Sequence, residues 1–217
     1  MSDIFQEVDE EVRREQLKKL WERYGNLVVA AAFLVVAAVG AWRAYGWWES
    51  KKAAEAGAAF EVASNLADAG KHAEAEAAFA KIVTDGTASY RHLARMREAT
   101  ELAQTDPKAA IGLFDKIAAD GAVGPVLQDI AGVRAAALLI DAGAFGEARQ
   151  KLQPLAGSDR PFRHTARELL VLAAWRAGDT AELKRWSETI MADPQTPPAT
   201  RSRVEMLTAL GAPASGS

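Results

Sequence analysis

One stretch of the chain is apolar without interruption, and the rest alternates apolar and polar positions at helical spacing. Residues 24–42 carry no charge, and residues 27–39 are only Leu, Val, Ala and Phe. These 19 uncharged residues would extend about 28 Å as a helix, close to the ~30 Å hydrocarbon thickness of a bilayer. The pattern predicts a single transmembrane helix that contacts the lipid bilayer through residues 24–42.

Aromatic side chains border this stretch on both sides. They include four of the six tryptophans and two of the three tyrosines: Trp21, Trp42, Trp47, Trp48, Tyr24 and Tyr45. Such rings concentrate at membrane–water interfaces, whereas a buried core helix rarely carries aromatic clusters at both ends. A cleaved signal peptide fits less well, because a charged, helix-prone segment precedes the apolar run and no small-x-small site directly follows it.

The distribution of Lys and Arg predicts the orientation of the span. Five basic residues precede it (Arg13, Arg14, Lys18, Lys19 and Arg23) and three follow it (Arg43, Lys51 and Lys52). Basic residues near a span favour the cytoplasm, so the N-terminus is predicted to be cytoplasmic. Residues 1–23 are then an amphipathic helical tail, which either lies against the lipid headgroups or docks a cytoplasmic partner. Residues 24–48 form the transmembrane helix with its aromatic flank.

From residue 49 onward the chain shows a repeat. Prolines that suit the first position of a helix recur every 36 residues, at Pro125, Pro161 and Pro197. Turn residues recur with nearly the same period, at Gly70, Pro107, Gly143 and Gly178. Glycine at these places fits a helix end that needs positive φ. The two marker series predict successive units of helix, tight turn and helix.

The turn sequences resemble the tetratricopeptide pattern Gly-x-aromatic-x-x-Ala. Gly143, Phe145 and Ala148 match it, and Gly70 and Ala75 match with His in the aromatic place. The predicted fold is therefore all-α: a tetratricopeptide-like α-solenoid of about four helix pairs over residues 49–211, closed by a capping helix over about 197–210. The polar cap surface is assigned to Asp193, Gln195, Thr200, Arg201 and Arg203. Residues 212–217 are predicted to be a disordered tail.

The second unit has the least defined register. Its charged first helix leaves few apolar positions for packing, namely Leu93, Met96, Ala99 and Ala103.

The chemistry-bearing residues form no pattern typical of catalysis. The chain lacks cysteine, and His72, His92 and His164 lie on separate predicted helices without a second ligand at metal-binding spacing. Neither a phosphate-binding glycine loop nor Gly-x-Ser-x-Gly is present, and no basic stripe with interleaved aromatics indicates nucleic acid. We therefore expect no enzyme, no cofactor or metal, and no nucleic-acid partner.

A groove for an extended or helical protein segment is the expected functional surface. The first helices of stacked pairs usually line such a groove. The groove candidates are Phe60, Ser64, Ile130, Val133, Thr165, Glu168, Leu172 and Trp175. For Trp175 a place in the core is the alternative.

The whole layout resembles the ancillary SecYEG translocon subunit family of Gram-negative bacteria. The resemblance is carried by residues 4–14 (IFQEVDEEVRR), by Leu20-Trp21-x-x-Tyr24-Gly25 and by Gly40-Ala41-Trp42-Arg43. It implies an inner-membrane protein with a periplasmic repeat domain. Its partners would be Sec translocon subunits and membrane-anchored periplasmic chaperones of the peptidyl-prolyl isomerase type. Two alternatives stay open: an envelope scaffold for cell division or outer-membrane assembly, and a reversed topology with a cytoplasmic adaptor domain.

Overall fold

The structure is a computed structural model that describes the backbone of residues 3–211 and, from residue 14 on, all side chains except those of residues 16 and 20. Over that range the chain forms nine α-helices, two short 3-10 helices and no strand. The α-helices, named α1 to α9 in chain order, are Asp3–Asp68, His72–Asp85, Ala88–Thr105, Pro107–Ala119, Pro125–Asp141, Phe145–Leu152, Arg163–Ala177, Thr180–Ala192 and Pro198–Leu210. The 3-10 helices are Gly121–Val123 and Gln153–Ala156. The predicted tail 212–217 lies outside the described residues.

The chain divides between Ala54 and Glu55 into two compact units. The first unit contains the apolar part of α1. Among the described residues, one helical segment, Trp21–Asp68, is long and apolar enough to cross a membrane, and its most apolar window is not buried in the protein. The apolar side chains exposed there are Leu27, Val28, Val29, Phe33, Leu34, Val35, Val36 and Val39. A soluble core helix would cover such residues, so α1 is compatible with a single-pass membrane anchor.

The second unit consists of helix pairs, as the repeat predicts. The last part of α1 packs on α2, α3 pairs with α4, α5 with α6, and α7 with α8, while α9 packs on α7 and α8. We call these pairs repeats 1 to 4, with α9 as the capping helix. The predicted four pairs and a cap are therefore confirmed.

The glycine turns adopt the conformation that their spacing predicts. Gly70, Gly143 and Gly178 have φ values of 75°, 76° and 71°. Gly178 directly follows α7, and Gly70 and Gly143 lie two residues after the ends of α1 and α5. After α7, the N–H of Gly178 donates to the carbonyl of Trp175 at 3.2 Å, and that of Asp179 to Ala174 at 2.9 Å. These bonds satisfy carbonyls that a helix end otherwise leaves without donors.

The proline markers agree with the helix starts in two of three cases, to within one residue. Pro125 is the first residue of α5, and α9 begins at Pro198, one residue after Pro197. By contrast, α7 begins two residues after Pro161, at Arg163. The reason is a pair of turns in this connection, where the Arg160 N–H donates to the Gly157 carbonyl at 3.1 Å and that of Arg163 to Arg160 at 3.3 Å.

The core runs along the solenoid as three clusters, each shared by neighbouring repeats. The first joins α1, α2 and α3 around Phe79, the second joins α3, α4 and α5 around Phe114, and the third extends from α5 to α9. The turn-motif alanines Ala75 and Ala148 are fully buried, as are the larger residues one turn later, Phe79 and Leu152. Small residues at the crossing points allow the paired helices to approach closely.

The packing predicted for repeat 2 is partly wrong. Leu93 is 48 % exposed, and the next residue, Ala94, is fully buried between α2 and α3. Ala99 is buried and Met96 packs against the second cluster, as predicted. In this alanine-rich chain the helices touch through small side chains, so the larger leucine does not mark the buried face.

Candidate partner-binding surface

The predicted groove residues lie on three first helices of the solenoid. Phe60 and Ser64 belong to α1, Ile130 and Val133 to α5, and the remaining four to α7. The structure brings three of the eight together in one cleft, namely Thr165, Glu168 and Leu172.

This cleft lies between α7 and α9 and has a volume of about 430 Å³. We call it the α7–α9 cleft. It is lined by Thr165, Glu168, Leu169, Leu172, Arg203, Met206 and Leu207. Four of the seven are aliphatic or Met side chains, and Met206 is 63 % exposed. Such a cleft fits the apolar side chains of a partner segment, with polar groups at its edge to set their orientation.

The polar edge of the cleft is formed by side chains that bind each other. Arg203 donates to both carboxylate oxygens of Glu168, from Nε to Oε1 and from Nη2 to Oε2 at 2.9 Å. Thr200 Oγ1 donates to the same carboxylate at 3.2 Å. The hydrogen bonds with Glu168 raise the pKa of the Arg203 guanidinium above its usual value. The two charges thus neutralise each other, and the apolar part of the cleft is free to bind a partner. We call this part the apolar floor; it consists of Leu169, Leu172, Met206 and Leu207.

Three of the other five predicted groove residues, Phe60, Val133 and Trp175, contact the core clusters. The ring of Phe60 packs edge-on against Phe79, with centroids 5.2 Å apart, and lies 5.9 Å from that of Tyr90. Val133 and Trp175 pack against the third cluster, and the Trp175 Nε1–H donates to the Gly211 carbonyl. Ser64 and Ile130 are partly buried and do not line the α7–α9 cleft.

Four residues of the cleft are not among the groove residues predicted from the sequence: Leu169, Arg203, Met206 and Leu207. The sequence predicts Thr200, Arg201 and Arg203 as part of the polar cap surface, and Arg203 is indeed exposed. The structure turns the other two inward, since Thr200 is 5 % exposed and Arg201 Nη2 donates to the Asp193 carbonyl at 2.6 Å. The sequence feature that indicates this surface is the adjacent apolar pair Met206 and Leu207, because the outer face of a capping helix is expected to be polar.

A second, polar cleft of about 250 Å³ lies between α4, α5 and the segment before α7. Asp129 of α5 is 1 % exposed and forms an ion pair with Arg160. Beside it, Lys151 Nζ donates to Asp115 Oδ1 at 2.7 Å. A buried carboxylate needs a cationic partner, so the Asp129–Arg160 pair fixes the connection before α7 onto α5.

The histidine in the aromatic place of the first turn motif joins repeats 1 and 2. His72 Nδ1 lies 2.9 Å from Oε2 of Glu101 on α3, and Glu101 is buried. Arg97 approaches the other carboxylate oxygen of Glu101 at 3.3 Å. His72 thus takes part in a polar network at a motif position where an aromatic side chain would contribute packing alone.

Comparison with curated proteins and with solved structures found no significant match. The chain does match the family model described as tetratricopeptide repeat-like domain over residues 18–182, which is more than half of its length. The matched stretch includes repeats 1 to 3 and extends through α7 into the first turn of α8. By this match, and by its paired helices with glycine turns at one period, the chain belongs to the tetratricopeptide repeat-like domain family.

Proposed function

We propose that the protein is a membrane-anchored, non-enzymatic adaptor whose repeat domain binds other proteins on the periplasmic side of a bacterial inner membrane. Its partners are Sec translocon subunits and periplasmic chaperones, and its role is the handling of newly translocated proteins. The observation that carries the proposal is the combination of an exposed apolar segment in α1 with a tetratricopeptide repeat-like domain in one chain.

The anchor is supported by the exposed side chains of α1. Phe33 and Leu34 are 76 % and 70 % exposed. A patch of this size is unfavourable in water, and the hydrocarbon of a bilayer removes the cost. The excess of Lys and Arg before the span supports a cytoplasmic N-terminus and a periplasmic domain.

The adaptor role is supported by the α7–α9 cleft and by the family. Repeat domains of this kind mediate protein–protein interaction, and an apolar cleft with a fixed polar edge fits an amphipathic helix or an extended segment. Anchoring confines the domain to the membrane plane, which raises its effective concentration near a membrane-embedded partner. The translocon is proposed from the N-terminal sequence resemblance.

The topology can be tested with single cysteines, because the chain has none of its own. Ser2→Cys and Ser158→Cys variants are treated with a membrane-impermeant maleimide in intact spheroplasts. We expect labelling at position 158 and, only after permeabilisation, at position 2. Labelling at position 2 but not at 158 before permeabilisation would overturn the periplasmic assignment.

The partners can be tested by purification of the tagged full-length chain in mild detergent, followed by mass spectrometry. A matched chain with an unrelated transmembrane segment is the control. We expect channel subunits and periplasmic chaperones to be enriched with the native chain. Recovery of a division or outer-membrane assembly complex instead would replace the translocon with an envelope scaffold role.

A further inference from the structure

The segment of α1 that follows the apolar run carries lysines stacked on tryptophans. The Nζ atom of Lys52 lies 3.8 Å from the ring centroid of Trp48, and that of Lys51 lies 5.8 Å from the ring centroid of Trp47. The ring of Tyr45 lies 6.2 Å from that of Trp48. An ammonium group above an indole face is attracted by the negative face of the ring, so both lysines are held close to the aromatic belt.

Both ammonium groups keep their charge available for a ligand. Two acidic residues, Glu49 and Glu55, lie within one helical turn of Lys52 and Lys51. Among the described side chains, neither forms an ion pair with these lysines within 4.0 Å. A lysine that faces an indole rather than a carboxylate still attracts an anion, because the ring does not neutralise its charge.

The position of the lysines along the helix matches the phosphate layer of a bilayer. The lysines directly follow the aromatic flank of the predicted span, which ends at Trp48. On a helix, Lys51 and Lys52 lie about 4 to 6 Å beyond Trp48. The headgroups lie just outside the layer in which interfacial aromatic rings concentrate.

We infer that Lys51 and Lys52, each held over an indole ring, form a contact site for the phosphate of anionic phospholipids. These phospholipids belong to the leaflet at the C-terminal end of the span. The ligand is a phosphodiester whose negative charge is not compensated by a headgroup amine, as in phosphatidylglycerol. The lysines donate to the phosphate oxygens, and the indole N–H groups and rings occupy the interface below. The inference rests on the proposed membrane anchor and names the lipid class that the anchor selects.

The test measures which lipid surrounds this segment in the full-length chain. Ala44 is exposed on α1, one turn before Trp48, and an Ala44→Cys variant carries the only thiol, which is labelled with bimane. The protein is reconstituted in two vesicle preparations of the same phosphatidylcholine and phosphatidylglycerol content. In one preparation the phosphatidylglycerol is brominated on its acyl chain, and in the other an equal mole fraction of the phosphatidylcholine is brominated.

We expect brominated phosphatidylglycerol to quench bimane at least about twofold more than brominated phosphatidylcholine. The Lys51→Gln/Lys52→Gln variant should lose this excess, whereas the matched variant Lys18→Gln/Lys19→Gln before the span should retain it. Equal quenching by the two lipids in the unsubstituted chain overturns the inference and leaves the anchor intact, as does an excess that survives Lys51→Gln/Lys52→Gln. Absence of quenching by either lipid overturns the proposed anchor and this inference with it.

Discussion

Arg203 of the capping helix donates from Nη2 to Oε2 of Glu168 on α7 at 2.9 Å, across 35 residues of sequence. This pair links α9 to α7 beside the cleft that Leu172 lines from α7 and that Met206 and Leu207 line from α9. The carboxylate of Glu168 is therefore engaged by the protein itself. Binding in the α7–α9 cleft depends on its apolar floor, and the predictions for partner binding concern that floor.

Met206→Glu is expected to weaken partner binding about tenfold or more without unfolding the domain. Met206 is exposed in the free protein, so a carboxylate is tolerated there, but a bound apolar segment would bury the charge without a partner. The measurement is the amount of partner recovered with the tagged full-length chain as its concentration is varied.

Leu93→Glu provides the matched control for this experiment. Leu93 is an exposed apolar residue of α3 that does not line the cleft. Its substitution should leave partner recovery unchanged. Equal losses for the two variants would place the binding surface elsewhere on the domain.

Arg160→Met is expected to lower the free energy of unfolding by about 3 kcal/mol, because it leaves the buried carboxylate of Asp129 without its cation. Adding Asp129→Leu should restore most of that loss, since apolar residues of similar size often replace a buried pair at little cost. Thermal unfolding of the detergent-solubilised full-length chain, followed by circular dichroism, measures both effects. A double variant no more stable than Arg160→Met would show that the pair does not act as a buried ion pair.

Gly143→Ala is expected to destabilise the domain by about 1 kcal/mol, because Gly143 has a φ of 76° and a Cβ disfavours that conformation. Gly112→Ala is the matched substitution inside a helix. A Cβ at Gly112 meets no atom within 4 Å, so alanine there should stabilise α4 by up to about 1 kcal/mol. Opposite shifts of the unfolding midpoint are expected, and shifts of the same sign would contradict the role of the turn.

Folding stability is expected to decrease as the pH falls through the ordinary titration range of histidine. Burial lowers the pKa of His164 below its usual value of 6.5, and the positive charge of Arg163 lowers it further. Between that lowered pKa and 6.5 the unfolded chain binds more protons than the folded chain, so acid favours unfolding. The contribution of His164 is fully present above pH 6.5 and is lost below it.

The His164→Gln variant isolates this contribution. Glutamine does not titrate, so the decrease in melting temperature between pH 7.5 and pH 5.5 should be smaller than in the unsubstituted chain. The measurement is the pair of melting temperatures for each chain. An equal decrease in both would assign the pH dependence to other groups.

The sequence predicted the repeat because its markers act through local backbone geometry. Positive φ at Gly143 and a helix start at Pro125 follow from the residue type alone. The exposed apolar part of α1 is likewise predictable from the sequence, because an uninterrupted apolar run of this length places apolar side chains on every face of the helix.

The sequence does not show which distant residues the fold brings together. The partner of Asp129 lies 31 residues further along the chain, and only the inter-repeat geometry makes them neighbours. Leu93 is predicted to pack because it is one of the few apolar residues of its charged helix, whereas in the structure Ala94 makes the close contact. Which side chains of α9 line the α7–α9 cleft depends on the orientation of this helix about its own axis. The amino-acid composition of α9 does not define that orientation.

Three of the polar links between repeats recur at one repeat length. Lys151 pairs with Asp115 across 36 residues and Arg176 with Asp141 across 35, as Arg203 does with Glu168. Each link couples only adjacent layers, so unfolding of the domain is a one-dimensional process that can begin at an end and progress layer by layer. Within residues 3–211, the capping helix has a neighbouring repeat on one side only, and its amides should exchange with solvent before those of α5. A partner in the adjoining cleft would therefore act as one further layer and slow the opening of the whole stack from that end.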